Sequence, residues 1–168
     1  MFSGYLRYPH VNEDQVVFVA DDDLWLTTVL GGRAHRLTSE HIPVRSPRFS
    51  PSGKRVGFVS GYPGNQDLHV LDVEGGRRRL TWLSAFHMQV CGWVDEEHVL
   101  VASMHNEALR ALSWLYTVSL EGELERLPWG PASVADQNPD GRAVLASPNF
   151  RGPEQWKRYR GGMGNRVW

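Results

Sequence analysis

An all-β chain made of repeated antiparallel sheets is what this sequence predicts, on three observations. The first is self-similarity at a spacing of 44 residues: Asp23-Leu24-Trp25-Leu26 through Gly31-Gly32 matches Asp67-Leu68-His69-Val70 through Gly75-Gly76. Each copy runs on into Arg36-Leu37-Thr38 or Arg79-Leu80-Thr81, and a third copy starts at Trp114-Leu115-Tyr116 and ends at Arg126-Leu127-Pro128. The second is a turn signature, Ser50-Pro51-Ser52-Gly53, that recurs 88 residues later, twice the first spacing, as Asn138-Pro139-Asp140-Gly141. The third is composition: 17 Gly and 10 Pro punctuate the 168 residues, while 7 Trp, 5 Tyr and 6 Phe favour the half-buried surfaces of sheets. A period in the low forties that contains short strands is the mark of β-propeller blades.

Within the second unit the strands follow from alternation and turn residues. Val44 to Phe49 reads as the first strand, and Pro51-Ser52-Gly53 as the tight turn after it. Val56 to Ser60 is short and apolar, as a strand covered on both faces should be. Gly61 to Asn65 forms a loop, and Leu68, Val70 and Leu71 mark the third strand. Gly75-Gly76 predicts a two-residue hairpin, since both positions tolerate positive φ. Arg77 to Leu80 is then a polar outer strand, suited to an exposed edge. Repeating the pattern gives four blades at about 1–40, 41–83, 84–130 and 131–168. The best helix candidate, Glu107 to Leu115, falls between a second and a third strand and reads as a blade insertion.

Composition excludes several classes of function. With 18 Lys and Arg against 19 Asp and Glu, the net charge of −1 gives no basic excess for nucleic acid or an anionic membrane surface. The apolar runs are only a few residues long, too short for a membrane-crossing helix. The opening Met1-Phe2-Ser3-Gly4-Tyr5-Leu6-Arg7 has no secretory signal pattern, and Cys91, the single cysteine, has no internal disulfide partner. The expected setting is therefore cytoplasmic, with neither nucleic acid nor membrane as partner.

The residue types that carry chemistry do not assemble into a catalytic or metal pattern. Gly57-Phe58-Val59-Ser60-Gly61 is not the G-x-S-x-G elbow, so Ser60 reads as a strand-end hydroxyl. The seven histidines (His10, His35, His41, His69, His87, His98 and His105) show no zinc-ligand spacing. Asp21-Asp22-Asp23 lacks the rest of a calcium loop and reads as turn chemistry, with ion binding as the alternative. Gly161-Gly162-Met163-Gly164 lacks the Lys-Ser/Thr and helix of a phosphate cradle and reads as a hairpin. Arg77-Arg78-Arg79, with Glu74 close by, reads as a solvated edge, with peptide steering or a subunit contact as the alternative. Trp25, Trp93 and Trp114 are expected between blades, and Trp82, Trp129, Trp156 and Trp168 near the surface. No catalytic, cofactor-binding or metal-ligating residue is assigned, and no cofactor is expected.

The block Pro47-Arg48-Phe49-Ser50-Pro51-Ser52-Gly53-Lys54-Arg55-Val56, followed by Asp67-Leu68-His69-Val70-Leu71-Asp72, resembles the TolB-type WD40-like repeat. More narrowly, Tyr8-Pro9-His10, Val17 through Trp25, Pro47-Arg48-Phe49 and the end, Trp156 through Gly162 and Val167-Trp168, resemble the N-terminal six-bladed propeller of the tricorn protease family. That resemblance implies about four blades of a six-bladed ring. It also implies a parent that is a cytosolic serine peptidase, assembled as a homo-oligomeric hexamer, which degrades oligopeptides downstream of the proteasome. The catalytic domain of that family lies outside this stretch, so no catalytic residue carries over. The expected role of this part is to gate peptide and product passage and to support assembly. Channel-facing residues are expected near Val44 to Phe49, Phe86 to Met88 and Ser133 to Asp136. The alternatives are a non-enzymatic propeller scaffold, a TolB-like envelope protein, or the propeller of a prolyl-oligopeptidase-like hydrolase. Cutting four blades from a ring should leave two open blade faces and an N-terminal closure strand without its partner blade, making the isolated chain poorly soluble or oligomeric.

Overall fold

The computed structural model describes residues 5–106, 112–138 and 140–146. Three consecutive stretches each fold into a four-stranded antiparallel sheet with its strands in chain order. The first comprises β1 (Arg7–Asn12), β2 (Gln15–Ala20), β3 (Asp23–Thr28) and β4 (His35–Arg36). The second comprises β5 (Val44–Phe49), β6 (Arg55–Ser60), β7 (Asp67–Asp72) and β8 (Arg77–Arg79). The third comprises β9 (Met88–Trp93), β10 (His98–Ser103), β11 (Trp114–Ser119) and β12 (Leu124–Pro131). A hairpin of β13 (Val134–Gln137) and β14 (Ala143–Ala146) begins a fourth unit.

The core lies between sheets. Alternation along β6 sends Val56 and Phe58 toward Val17, Val19 and Leu24 of the first sheet, where Val44, Phe49 and Leu71 join them. The opposite face of the second sheet, carrying Val59, Leu68 and Val70, meets Met88, Val90, Val99, Val101 and Val118 of the third. Cys91, Leu100, Ala102 and Leu115 continue the series toward Ala132, Ala135 and Leu145. Strands buried on both faces need apolar residues of both parities, which is why β6 and β10 read as unbroken apolar runs. At 25 cal/mol per Å2, burying a Val, Leu or Phe side chain contributes about 1.5–3 kcal/mol, so these interfaces dominate the stability.

The first strands converge: β1 touches β5, β5 touches β9, and β9 touches β13. They are therefore the innermost strands around a common axis, with β4, β8 and β12 at the rim.

Several expectations need correction. The Gly75-Gly76 hairpin has a three-residue loop: Asp72 and Gly76 are hydrogen-bonded partners, and Val73, Glu74 and Gly75 lie between them, both glycines at positive φ. Two-residue turns occur instead at Asp21-Asp22, with Ala20 paired to Asp23 and φ values of 50° and 61°, and at Glu13-Asp14, with Asn12 paired to Gln15. No N-terminal closure strand is found among the described residues, since β1 is the innermost strand of its own sheet. Of the helix candidate Glu107 to Leu115, residues 107–111 lie outside the described residues, and Trp114 and Leu115 open β11. The glycine-rich run at 161–164, Trp156 and Trp168 also lie outside the described residues.

Candidate functional site

Each charged triplet of the sequence gives one member, Asp23 or Arg79, to a lock within its blade. Asp23 is 1% exposed and accepts hydrogen bonds from Thr38 Oγ1 at 2.6 Å and from the Arg36 guanidinium. Asp67, equally buried, accepts from Thr81 Oγ1 at 2.9 Å and from Arg79 Nη2 at 2.7 Å. In both, the threonine hydroxyl also accepts the amide of the next residue, Leu24 or Leu68, at 3.0 Å. The repeated Asp-Leu … Arg-Leu-Thr pattern is thus a lock that fastens the fourth strand to the third. A buried carboxylate with paired donors is a structural device here; of the other two aspartates, Asp22 is ion-paired with Arg7 at 2.8 Å and Asp21 lies in the turn.

Arg77-Arg78-Arg79 is only partly a solvated edge. Arg77 pairs with Glu40 at 2.7 Å, not with Glu74, and lies over the Phe58 ring. Arg79 is held by Asp67 and stands over the exposed Trp82. Arg78 alone of the three has no such anchor among the described residues.

Ser60 ends β6 in a buried position, away from any catalytic arrangement. Among the described residues no three His, Cys, Asp or Glu side chains gather as metal ligands. His69 is stacked on Phe58, and its Nδ1 accepts from Arg77 Nε at 3.3 Å; burial, then the Arg77 charge, lowers its pKa to about 4. Trp93 packs between blades as expected, whereas Trp25 lies beside Leu24 on the opposite face of the first sheet. Trp129 is half-buried against the third interface, not at the surface.

A cavity of about 760 Å3 lies among the turns of the first and second sheets, lined by Glu13, Lys54 and Glu74, and a second opening lies at the axis. A cavity of about 490 Å3 is lined by β1, β5, β9 and β13, with His10, Arg48, Cys91, Gly92 and Asp136 on its wall. Of the expected channel segments, Val44 to Phe49 and Ser133 to Asp136 fall on innermost strands. Of Phe86 to Met88 only Met88 does: Ala85 bonds back to Gln66, so the innermost strand begins at Met88. The strand β1, which the sequence reading left out, contributes His10.

Side chains stitch these strands together. The Phe49 amide donates to His10 Nδ1 at 3.1 Å, Trp93 Nε1 donates to the Arg48 carbonyl at 3.0 Å, and the Val90 amide donates to Ser46 Oγ at 3.0 Å. Burial lowers the His10 pKa, and the Arg48 charge lowers it further, so the neutral acceptor form of His10 is favoured. Burial likewise lowers the Arg48 pKa and pushes the Cys91 thiol up to about 11, leaving it a poor nucleophile. Among the described residues the wall offers charge and hydrogen-bonding groups, with no base, nucleophile and oxyanion donor in mutual reach.

Four-stranded blades whose first strands ring an axis, with their cores between successive blades, define a β-propeller, of which three blades and the start of a fourth are described. A family model described as the tricorn protease N-terminal beta propeller domain matches residues 3–168, and the chain belongs to that family. It is 39% identical to tricorn protease homolog 1 of Streptomyces coelicolor over 98% of this chain and 16% of that protein. The crystal structure of the tricorn protease superposes with a TM-score of 0.86 at 26% identity, over 99% of this chain and 17% of that one. TolB from Acinetobacter baumannii shares the fold, at a TM-score of 0.71 and 17% identity over 98% of this chain and 40% of that one. The chain thus spans about a sixth of the length of its tricorn relatives.

Proposed function

We propose that this chain is the part of a tricorn-type serine peptidase that walls an axial passage for short peptides, and that it gates their movement and supports assembly of a cytoplasmic homo-oligomer. Bond cleavage belongs to the remainder of such a protein. The observation that carries the reading is the set of polar groups that the innermost strands bring to one opening: His10, Arg48 and Asp136. Charged and hydrogen-bonding groups at a constriction sort what passes by size and charge.

The test is a chimera in which this chain replaces the matching segment of Streptomyces coelicolor tricorn protease homolog 1. An Asp136→Trp substitution, which fills the opening, should slow turnover of oligopeptides. Leu30→Trp, at a 96% exposed turn position away from the axis, should leave turnover alone. Equal turnover in the plugged and unplugged proteins would overturn the reading.

A further inference from the structure

Neighbouring blades are joined at the axis by side chains, and the two joints differ. Arg7-Tyr8-Pro9-His10 of β1 and Arg45-Ser46-Pro47-Arg48 of β5 repeat one pattern, with positive φ at the second residue, 51° at Tyr8 and 45° at Ser46. Both strands are bulged there, the pairing register slipping between Arg7 and His10 and between Arg45 and Arg48. Pro9 and Pro47 have no N–H to donate. Among the described residues, two side chains of β1 hydrogen-bond to the second blade near the axis. His10 Nδ1 accepts the Phe49 amide at 3.1 Å, and Asn12 Nδ2 donates to the Ser50 and Pro51 carbonyls, each at 3.2 Å. The joint between β5 and β9 uses Ser46 Oγ at the Val90 amide and Trp93 Nε1 at the Arg48 carbonyl, and neither bond has a titrating member.

The His10 joint cannot survive a second proton. An imidazole whose Nδ1 accepts a hydrogen bond carries its single proton on Nε2, so the next proton can go only to Nδ1. That N–H would point at the Phe49 N–H, and an attraction becomes a repulsion. The charged and titratable groups around the ring are Arg7 on its own strand, Arg45 and Arg48 on β5, Cys91 on β9 and Asp136 on β13; β2, paired to β1, has none. Burial and then the Arg48 charge oppose the proton, while Asp136 favours it. Phe49 is fixed in the core between the first two blades, whereas no residue of β1 is buried. When the bond breaks, β1 is therefore the strand that moves.

We propose that His10 is an acid-operated latch: neutral, it holds β1 against β5 through the Phe49 amide, and protonated, it releases β1 and opens the seam between the first and second blades. The proton binds the released imidazole and is excluded from the latched one, and that difference in affinity shifts the equilibrium. The seam between the second and third blades, joined by Ser46 and Trp93, has no such trigger at the axis and stays closed. Because β1 lines the axial opening, its release widens the passage. That consequence rests on the passage reading above; the latch itself does not.

The 168-residue chain, labelled with 15N, is followed by NMR from pH 7.5 to 4.5, reading the His10 ring nitrogens and the exchange protection of single amides. At pH 7.5 the His10 Nδ1 should show the shift of an unprotonated acceptor. As it gains a proton, protection at the Phe49 amide should fall about fivefold in step with it, while protection at Val90 holds. In His10→Asn the side-chain Oδ1 stands near the place of Nδ1 and accepts the amide without titrating, so Phe49 should stay protected across the range. Phe49 protection that is unchanged while the wild-type His10 titrates overturns the latch. So does an equal fall at Phe49 and Val90, which reports general loosening, or a wild-type pH dependence kept in His10→Asn. Such a failure leaves the Asp136→Trp effect on turnover standing, whereas loss of that effect removes the passage and leaves the latch.

Discussion

The Arg126 guanidinium lies 3.4 Å above the centre of the Trp114 ring. By register these two residues are the third blade's counterparts of Arg79 and Asp67: Ser103 pairs with Trp114 as Ser60 pairs with Asp67, and Tyr116 pairs with Arg126 as His69 pairs with Arg79. An ion pair in two blades is replaced by a cation–π contact in the third, and proline takes the threonine position at Pro128. The lock between third and fourth strands is conserved as a function of place while its chemistry changes.

Removing the acid should therefore be costly where the acid is present. Asp67 accepts from Arg79, Thr81 and the Leu83 amide, the last at 2.6 Å. Asp67→Asn removes the buried charge that accepts these three donors, while the exposed Arg79 stays solvated, and is expected to cost about 1.5–3 kcal/mol in urea unfolding. Glu96→Gln, in the exposed pair with Ser52, should cost under about 1 kcal/mol.

Acid should weaken the fold through its buried imidazoles. Below about pH 6.5 the unfolded chain binds a proton at His69, whereas the folded chain does so only near pH 4. More protons bound in the unfolded state means that stability falls as pH drops through that window and levels off below it. His10 and His87, whose pKa values burial also lowers, add in the same direction. Unfolding midpoints measured from pH 7.5 to 4 should decline less steeply in His69→Phe, which keeps the stack on Phe58 without the titrating ring.

His10 should matter locally. Its Nδ1 accepts the Phe49 amide across the β1–β5 boundary. His10→Ala leaves that amide without its partner, and its hydrogen exchange should speed up about fivefold, the effect of losing roughly 1 kcal/mol of local protection. Unaltered exchange at Phe49 would show that the bond does not hold the innermost strands.

Gly57 sets how closely the second and third blades approach. A Cβ there would stand 3.3 Å from Trp93 Nε1, and that indole is fixed by its bond to the Arg48 carbonyl. Gly57→Ala is expected to cost about 1–2 kcal/mol, read from the thermal midpoint, and to broaden the Trp93 indole resonance.

Much of the architecture was legible because the repeat is written in turn residues and apolar parity. The 44-residue repeat and its third copy at Trp114 located three sheets, and the apolar run Val56 to Val59 marked a strand covered on both sides. Tertiary partnerships were less visible. Nothing local distinguishes Asp23 from Asp21 and Asp22, yet the first is a buried acceptor and the others form a turn. Arg77 finds Glu40 in the connection before its own blade, beyond the reach of neighbour rules. The innermost strand after Ala85 was placed too early because the connector bonds back to Gln66. One signal did stand in the sequence: Arg-x-Pro followed by a basic residue occurs at both Arg7 and Arg45, and it marks the bulged wall strands that carry the candidate site.

Each sheet is drawn from one uninterrupted run of chain, and that ordering matters during synthesis. The first blade has all four of its strands once Arg36 has left the ribosome, but Val17, Val19 and Leu24 stay uncovered until Phe58 and then Leu71 arrive, 22 and 35 residues later. At about 5–20 residues per second, that bare surface persists for roughly one to seven seconds. Every later blade repeats the interval, so the nascent propeller always presents one sticky flank to the cell, and a pause in translation prolongs the period in which it is open to capture.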